Sequence, residues 1–373
     1  MRSSPEFHSC DVLDECRRTQ LDYTSCMNFP GPPAMFVLII LITVSVAGCT
    51  RHEVRDPPDR DNISQFKSSS VAGPDFICVV TENGELIRIS HQGVTHRVVQ
   101  PEPVEVVAFI DSMRGFNVDR TGSVWTTADG GNTWQQQESP QWDGFDQPQQ
   151  LVFNDASHGW LVGGYRVFRT TDGGKSWQLR FSIGRDSDER MARLYGATFP
   201  DPDTGWIMST SNLLINTSDG GANWKTLTID ALGMDLRDAC FINGLKGWVV
   251  ARNRGGIYST TDGGKQWEVQ PTASDNRYRS IQFLNESEGW VAGLRYINDS
   301  GDRTAVLLHT TDGGRNWSEV ETSLKERFFE RVLFYDQAHG WLVARDNIYA
   351  TQNGGKTWQP VLSLSHIRSA KEK

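Results

Sequence analysis

Arg193, Arg237, Arg279 and Arg331 each stand just before a short apolar run, and Arg252, Arg254, Arg295 and Arg345 fall in the turns further along the same repeats. A guanidinium forks onto a carboxylate through two parallel N–H donors and also stacks on aromatic faces. Arginines gathered in one place therefore read as a surface that recognises carboxylate-bearing groups. The chain holds 28 Arg against 9 Lys, a skew toward the residue that forks. Its net charge is −9, from 37 basic and 46 acidic residues, which excludes a generally basic chain that binds nucleic acid by neutralising phosphates. The plainer reading is that exposed arginines pair with nearby acids such as Asp186, Asp188 and Glu189 and contribute little.

A second set of residues able to do chemistry is a run of aspartates. The motif T-x-[DN]-G-G-x-x-W occurs six times, as TADGGNTW (127–134), TTDGGKSW (170–177), TSDGGANW (217–224), TTDGGKQW (260–267), TTDGGRNW (310–317) and TQNGGKTW (351–358). Its terminal tryptophans are 43, 47, 43, 50 and 41 residues apart. A catalytic or metal-binding carboxylate breaks the symmetry of a repeat, whereas a structural device recurs in every unit. The aspartates therefore read as turn residues: Gly-Gly permits positive φ in a tight hairpin, and a carboxylate accepts backbone N–H groups across it. A degenerate copy, SHQGVTH (90–96), places His91 and His96 where the others have Asp and Trp. Two histidines lack the third protein ligand of a catalytic zinc and read as solvated turn residues.

These residues need a frame, and the same period supplies it. Phe109, Phe153, Phe199, Phe241, Phe283 and Phe334 are each followed seven residues later by an aromatic that directly follows Gly. Each unit then reads as four short strands separated by Asn-Asp and Asp-Gly-Gly turns. Four antiparallel strands at a period of 40–50 residues predict an all-β propeller, and the length available fits seven blades. Residues 76–100 supply only three strands of a first blade, so its innermost strand is expected from the C-terminal end of the chain. Up-and-down topology puts the Asp-Gly-Gly turns on one face. The other face receives 16 of the 22 arginines from residue 75 onward, with the four that precede innermost strands near the central channel. Long loops at 135–150 and 178–197 and an insertion between Arg295 and Ala305 lie on that second face, where Trp142 and Phe145 offer an aromatic platform.

Ahead of the repeats, Met35–Val46 is strongly apolar but too short to span a bilayer. The run is followed by Val46-Ala47-Gly48-Cys49, similar to a bacterial lipobox, in which the cysteine becomes the lipidated N-terminus. No Lys or Arg directly precedes it, so residues 1–34 read as a long leader or a misplaced start. The expected organisation is 1–49 leader and lipoprotein signal, 50–73 flexible tether and 74–368 propeller. Cys78 and Cys240 fall in strand-like runs and read as small buried hydrophobes rather than a disulfide.

With the repeated box, the Gly-Trp pairs and the lipobox together, residues 75–362 resemble the photosystem II stability/assembly factor family, and the box itself resembles the Asp-box or bacterial neuraminidase repeat. The resemblance implies a seven-bladed propeller with a non-enzymatic assembly role. It implies a grip on a photosystem reaction-centre subunit through an arginine patch, here Arg193, Arg237, Arg279 and Arg331 with Arg252, Arg254, Arg295 and Arg345 behind them; in a non-photosynthetic host the partner would be another envelope protein. It also implies export and a lipid anchor on the periplasmic or thylakoid-lumen side of a membrane. No cofactor, metal or nucleic acid is expected, and the chain is expected to be a monomer. Two rivals remain. A sialidase would need an Arg-Ile-Pro signature, which is absent, and a Tyr nucleophile, for which Tyr278 and Tyr296 are candidates without an evident partner; a retaining glycoside hydrolase would need a close carboxylate pair, for which Asp275, Asp299 and Asp302 are candidates. A glycan-binding surface lipoprotein would need exposed tryptophan, for which Trp125 and Trp142, the two outside the repeat, are the candidates.

Overall fold

The repeated Phe, Gly and Trp explain one another once the strands are paired. In each unit from the second onward the Phe lies opposite the Gly of the Gly-aromatic pair, as Phe241 does opposite Gly247. The Phe ring lies flat over that glycine, where a Cβ on Gly247 would stand 2.3 Å from it. The neighbouring Gly-Trp side chain then stacks across the seam between units: Trp206 on Phe241 at 3.6 Å and Trp248 on Phe283 at 3.5 Å between centroids. The box tryptophan closes the set edge-on, as Trp267 does against Phe241 at 6.1 Å. Trp160, Trp206, Trp248, Trp290 and Trp341 are fully buried by this arrangement.

The computed structural model describes residues 65–98, 102–143, 146–183, 193–210, 213–228, 236–251, 256–273, 275–297 and 301–365. They form seven four-stranded antiparallel sheets, each keeping chain order: blades 1 to 7 span 66–98, 104–136, 148–182, 194–228, 236–270, 276–319 and 329–363. The first strands of successive blades pack side by side around the axis. The second strands, such as Gly159–Gly163 and Gly247–Ala251, are buried along their whole length because both faces are covered by neighbouring blades. The core is accordingly divided into seven apolar clusters, one for each seam between blades.

The first blade corrects an expectation. Its innermost strand is its own, Phe66–Val71, drawn from the stretch assigned by composition to a tether and lying ahead of residue 74. The sequence FKSSSV looks like a linker because its side chains are small and polar, yet they serve the next blade: the Ser68 and Ser70 hydroxyls accept the N–H groups of Val107 and Phe109 at 3.2 and 2.8 Å. The ring therefore closes by packing and not by strand exchange. Val361, Leu362 and Leu364 of the last blade join Ile77, Val79, Ile87 and Ile89 of the first in one cluster. The N–H of Gln65 also bonds the carbonyl of Arg345 at 2.8 Å. His91 belongs to this seam. It is half-buried, stacks on Trp341 at 4.8 Å and holds the Pro74 carbonyl at 2.7 Å, in the place where other seams use Phe.

The box turns are built alike. In the box at 170–177, Gly173 and Gly174 have φ of 74° and 78°. The Thr170 hydroxyl donates to Asp172 at 2.8 Å and accepts the Gly174 N–H at 2.9 Å, and Asp172 accepts the N–H and hydroxyl of Ser176. The same bonds recur at Thr260, Asp262 and Gly264. Cys78 and Cys240 are separate thiols, and burial pushes each up to about 12.

Candidate functional site

Where each innermost strand begins, the pairing with the second strand slips by one residue. The skipped residues are Lys67, Glu105, Gln149, Tyr195, Arg237, Arg279 and Glu330, one in each blade. A bulge re-aims its extra side chain out of the ladder. Since strands within each sheet run in chain order, this end of the ring is opposite the box turns. The seven bulges therefore form one circle at the mouth of the central channel, on the arginine side.

Part of that circle is joined by charge. Arg237 donates to Glu330 at 2.8 Å, reaching past blade 6 from blade 5 to blade 7, and Arg279 donates to the other oxygen of the same carboxylate. Arg279 is only 10% exposed and lies over the Phe328 ring at 4.3 Å, while Arg237 is 36% exposed. Burial alone would raise the Glu330 carboxyl, but the charges of Arg279 and Arg237 hold it below the ordinary range. Arg331, the next residue, is exposed, and its charge acts on both Glu330 and Asp238. Burial pushes Asp238 up against the opposing effects of Arg331 and of the Ile281 and Ala239 N–H groups, each 3.0 Å from a carboxylate oxygen. Elsewhere on the circle Lys67 pairs with Glu105 at 2.9 Å, and the Tyr195 hydroxyl bonds the Leu236 carbonyl.

The eight sequence-predicted arginines thus fall into different places. Arg237 and Arg279 share the bulge position and converge on one carboxylate; Arg331 adjoins them. Arg193 is offset, with its Nε on the Tyr165 hydroxyl at 3.0 Å and its backbone N–H on Thr210. Arg295 is held by Asn276 at 3.0 Å and by Glu319, and Arg345 faces Asp346 at 3.5 Å. Those two match the plainer reading of local pairing, as do Arg120 with Glu105 and Arg166 with Asp143. Arg252, Arg254 and Cys49 lie outside the described residues. Glu330 was missed, although a signal exists: each bulge residue from blade 2 to blade 7 stands four positions before the repeat phenylalanine.

Other candidates are used up by the fold. Trp142 is neither a platform nor an anchor; its indole N–H bonds the Gly122 carbonyl at 3.0 Å and its ring meets Phe168 edge-on within a core cluster. Tyr278 is 1% exposed with its hydroxyl on Asn276, and burial raises its pKa, which is the wrong environment for a nucleophile. On the box face Asp111, Asp155, Asp201 and Asp336 each accept backbone N–H groups of their own turns. Among the described residues, no cluster of three or more His, Cys, Asp or Glu is placed to hold a metal.

Comparison with known proteins agrees with this architecture. A family model described as Photosynthesis system II assembly factor YCF48 matches residues 143–233 and 231–328. The Photosystem II assembly lipoprotein Ycf48 of Prochlorococcus marinus (strain MIT 9313) is 32% identical over 261 residues, covering 57% of this chain and 74% of that protein. Its namesake in Synechococcus sp. (strain CC9902) is 29% identical over 199 residues, covering 53% of this chain and 56% of that protein, so this match spans little more than half of the relative's length. Among solved structures, YCF48 bound to D1 peptide shares the fold at a TM-score of 0.54 and 21% identity, covering 70% of this chain and 82% of that one. With a relative 32% identical and matched over 74% of its length, the chain belongs to the photosystem II assembly factor Ycf48 family.

Proposed function

We propose that this protein is a non-catalytic assembly factor for photosystem II that holds a reaction-centre polypeptide against the arginine end of its propeller. The observation that carries the reading is the convergence of Arg237, Arg279 and Arg331 at the channel mouth around Glu330. Two guanidiniums brought to one place supply paired N–H donors of the kind that hold acidic side chains, and the exposed Arg331 adds long-range attraction. A relative of the same fold has been solved with a D1 peptide, which makes the D1 polypeptide the first partner to test. Tyr278 is buried, and the carboxylates of Asp172, Asp219 and Asp262 are bonded into their own turns, which supports a binding role for this scaffold. Residues 1–49 act as a lipoprotein signal, Cys49 carries the lipid, and the segment between Cys49 and Phe66 tethers a monomeric propeller to the membrane. The related proteins named as lipoproteins support that part.

The test is capture of a D1 peptide by wild type and by the variants R331E and R237Q. These substitutions spare Arg279, whose reversal would set two carboxylates together in a buried site. R331E is expected to weaken capture at least about tenfold; because Arg331 also offsets the charges of Glu330 and Asp238, a thermal melt of each variant accompanies the capture to show that it is folded. Equal capture by all three proteins would overturn the reading.

A further inference from the structure

The arc formed by blades 5 to 7 has an unusual charge balance for a site meant to take a carboxylate. Three cations, Arg237, Arg279 and Arg331, face two anions, Glu330 and Asp238. Asp238 is committed to backbone, holding the N–H of its neighbour Ala239 and, across the seam to blade 6, the N–H of Ile281. Glu330 is placed differently: it is the extra residue of a bulge, outside the ladder, and its two oxygens are spent on Arg237 and Arg279. The longer of these reaches passes a whole blade, and it is made by the more exposed arginine.

We propose that Glu330 is an internal stand-in for the partner's carboxylate, and that binding exchanges one carboxylate for the other in the Arg237–Arg279 fork. This rests on the proposed function and names how its site is regulated. In the free protein the fork is filled, which keeps Arg279 from being buried without a counter-charge. An arriving acidic side chain is drawn first by Arg331. It then takes Arg237, the half of the fork that is open to solvent, and displaces Glu330 from Arg279 in turn. The net affinity is the difference between two similar ion pairs, so a partner must supply further contacts along the rim to displace Glu330. Isolated acids are thereby rejected, which is specificity by internal competition.

The experiment measures binding of a fluorescein-labelled oligoglutamate peptide, with an oligolysine peptide as control, to wild type, E330Q and E330D by fluorescence anisotropy. Thermal melts with and without peptide accompany it. Exchange predicts that E330Q binds oligoglutamate about tenfold more tightly than wild type, with E330D between them. It also predicts that E330Q melts lower than wild type when free and recovers when the peptide is added. Equal or weaker binding by a folded E330Q, while wild type binds, would overturn the exchange alone and leave the proposed function standing. Should E330Q fail to fold, E330D carries the same comparison, and no gain there overturns the exchange. If neither wild type nor variant binds oligoglutamate while wild type still captures the D1 peptide, the exchange is overturned and the proposed function stands; loss of D1 capture as well overturns both.

Discussion

The two ends of this propeller repeat with the same period and treat their residues in opposite ways. At one end six turns carry nearly the same residues, Thr, Asp or Asn, Gly, Gly and Trp, with the same hydrogen bonds. At the other end seven bulges occupy one equivalent position, but the residues are Lys, Glu, Gln, Tyr, Arg, Arg and Glu. A position fixed in both geometry and residue type is architecture. A position fixed in geometry alone leaves the side chain available for recognition, and here it has become asymmetric: the two arginines stand side by side in blades 5 and 6.

The largest difference between the ends should appear in stability. W248A removes a fully buried ring stacked across a seam and should cost about 3–5 kcal/mol in a denaturant titration. Q149A, at an exposed bulge position, should stay within about 0.5 kcal/mol. Comparable losses would break the comparison. A smaller effect is expected one layer inside the box. T260V deletes the hydroxyl that accepts the buried Gly264 N–H at 2.9 Å, and should cost about 1–3 kcal/mol by leaving that donor unsatisfied.

Smallest is the acid response of the turns. Hydrogen bonds from Thr133, Asn223 and Asn316 hold Asp129, Asp219 and Asp312 at about 2, below their ordinary value of 3.8. A carboxyl held low in the folded state stabilises it above its unfolded pKa and loses that contribution as the pH falls through the folded value. Melting temperatures should therefore drop between about pH 4 and pH 2. Copying the neutral Asn353 of blade 7 into these three turns should flatten that drop. An identical pH profile for the triple Asn variant would show that the turn carboxylates carry no such stability.

The blades were legible in the sequence because Asp-Gly-Gly, Gly-Trp and the repeat Phe are each forced by geometry: positive φ, a ring over glycine, a stack across a seam. Phe66–Val71 was hidden because its inter-blade bonds use serine hydroxyls, which have the composition of a linker, and because Val71 stands where the other blades have Phe. The candidate site was half legible. Arg237 and Arg279 were found, but proximity to an inner strand also admitted Arg193, which is out of phase with the bulges. Glu330 was passed over because acids among arginines read as neutralisers, although it shares with Arg237 and Arg279 the place four residues before the repeat phenylalanine. His91 was misread as a solvated turn because the partner that buries it, Trp341, is 250 residues away along the chain.

The most direct test of a functional rim opposed to a structural face is hydrogen exchange of the propeller with and without bound D1 peptide, read along each blade. Protection is expected where the inner strands of blades 5, 6 and 7 begin, at 236–238, 276–279 and 329–331, with the box turns unchanged. Protection gathered instead at the Asp-Gly-Gly turns would contradict the account.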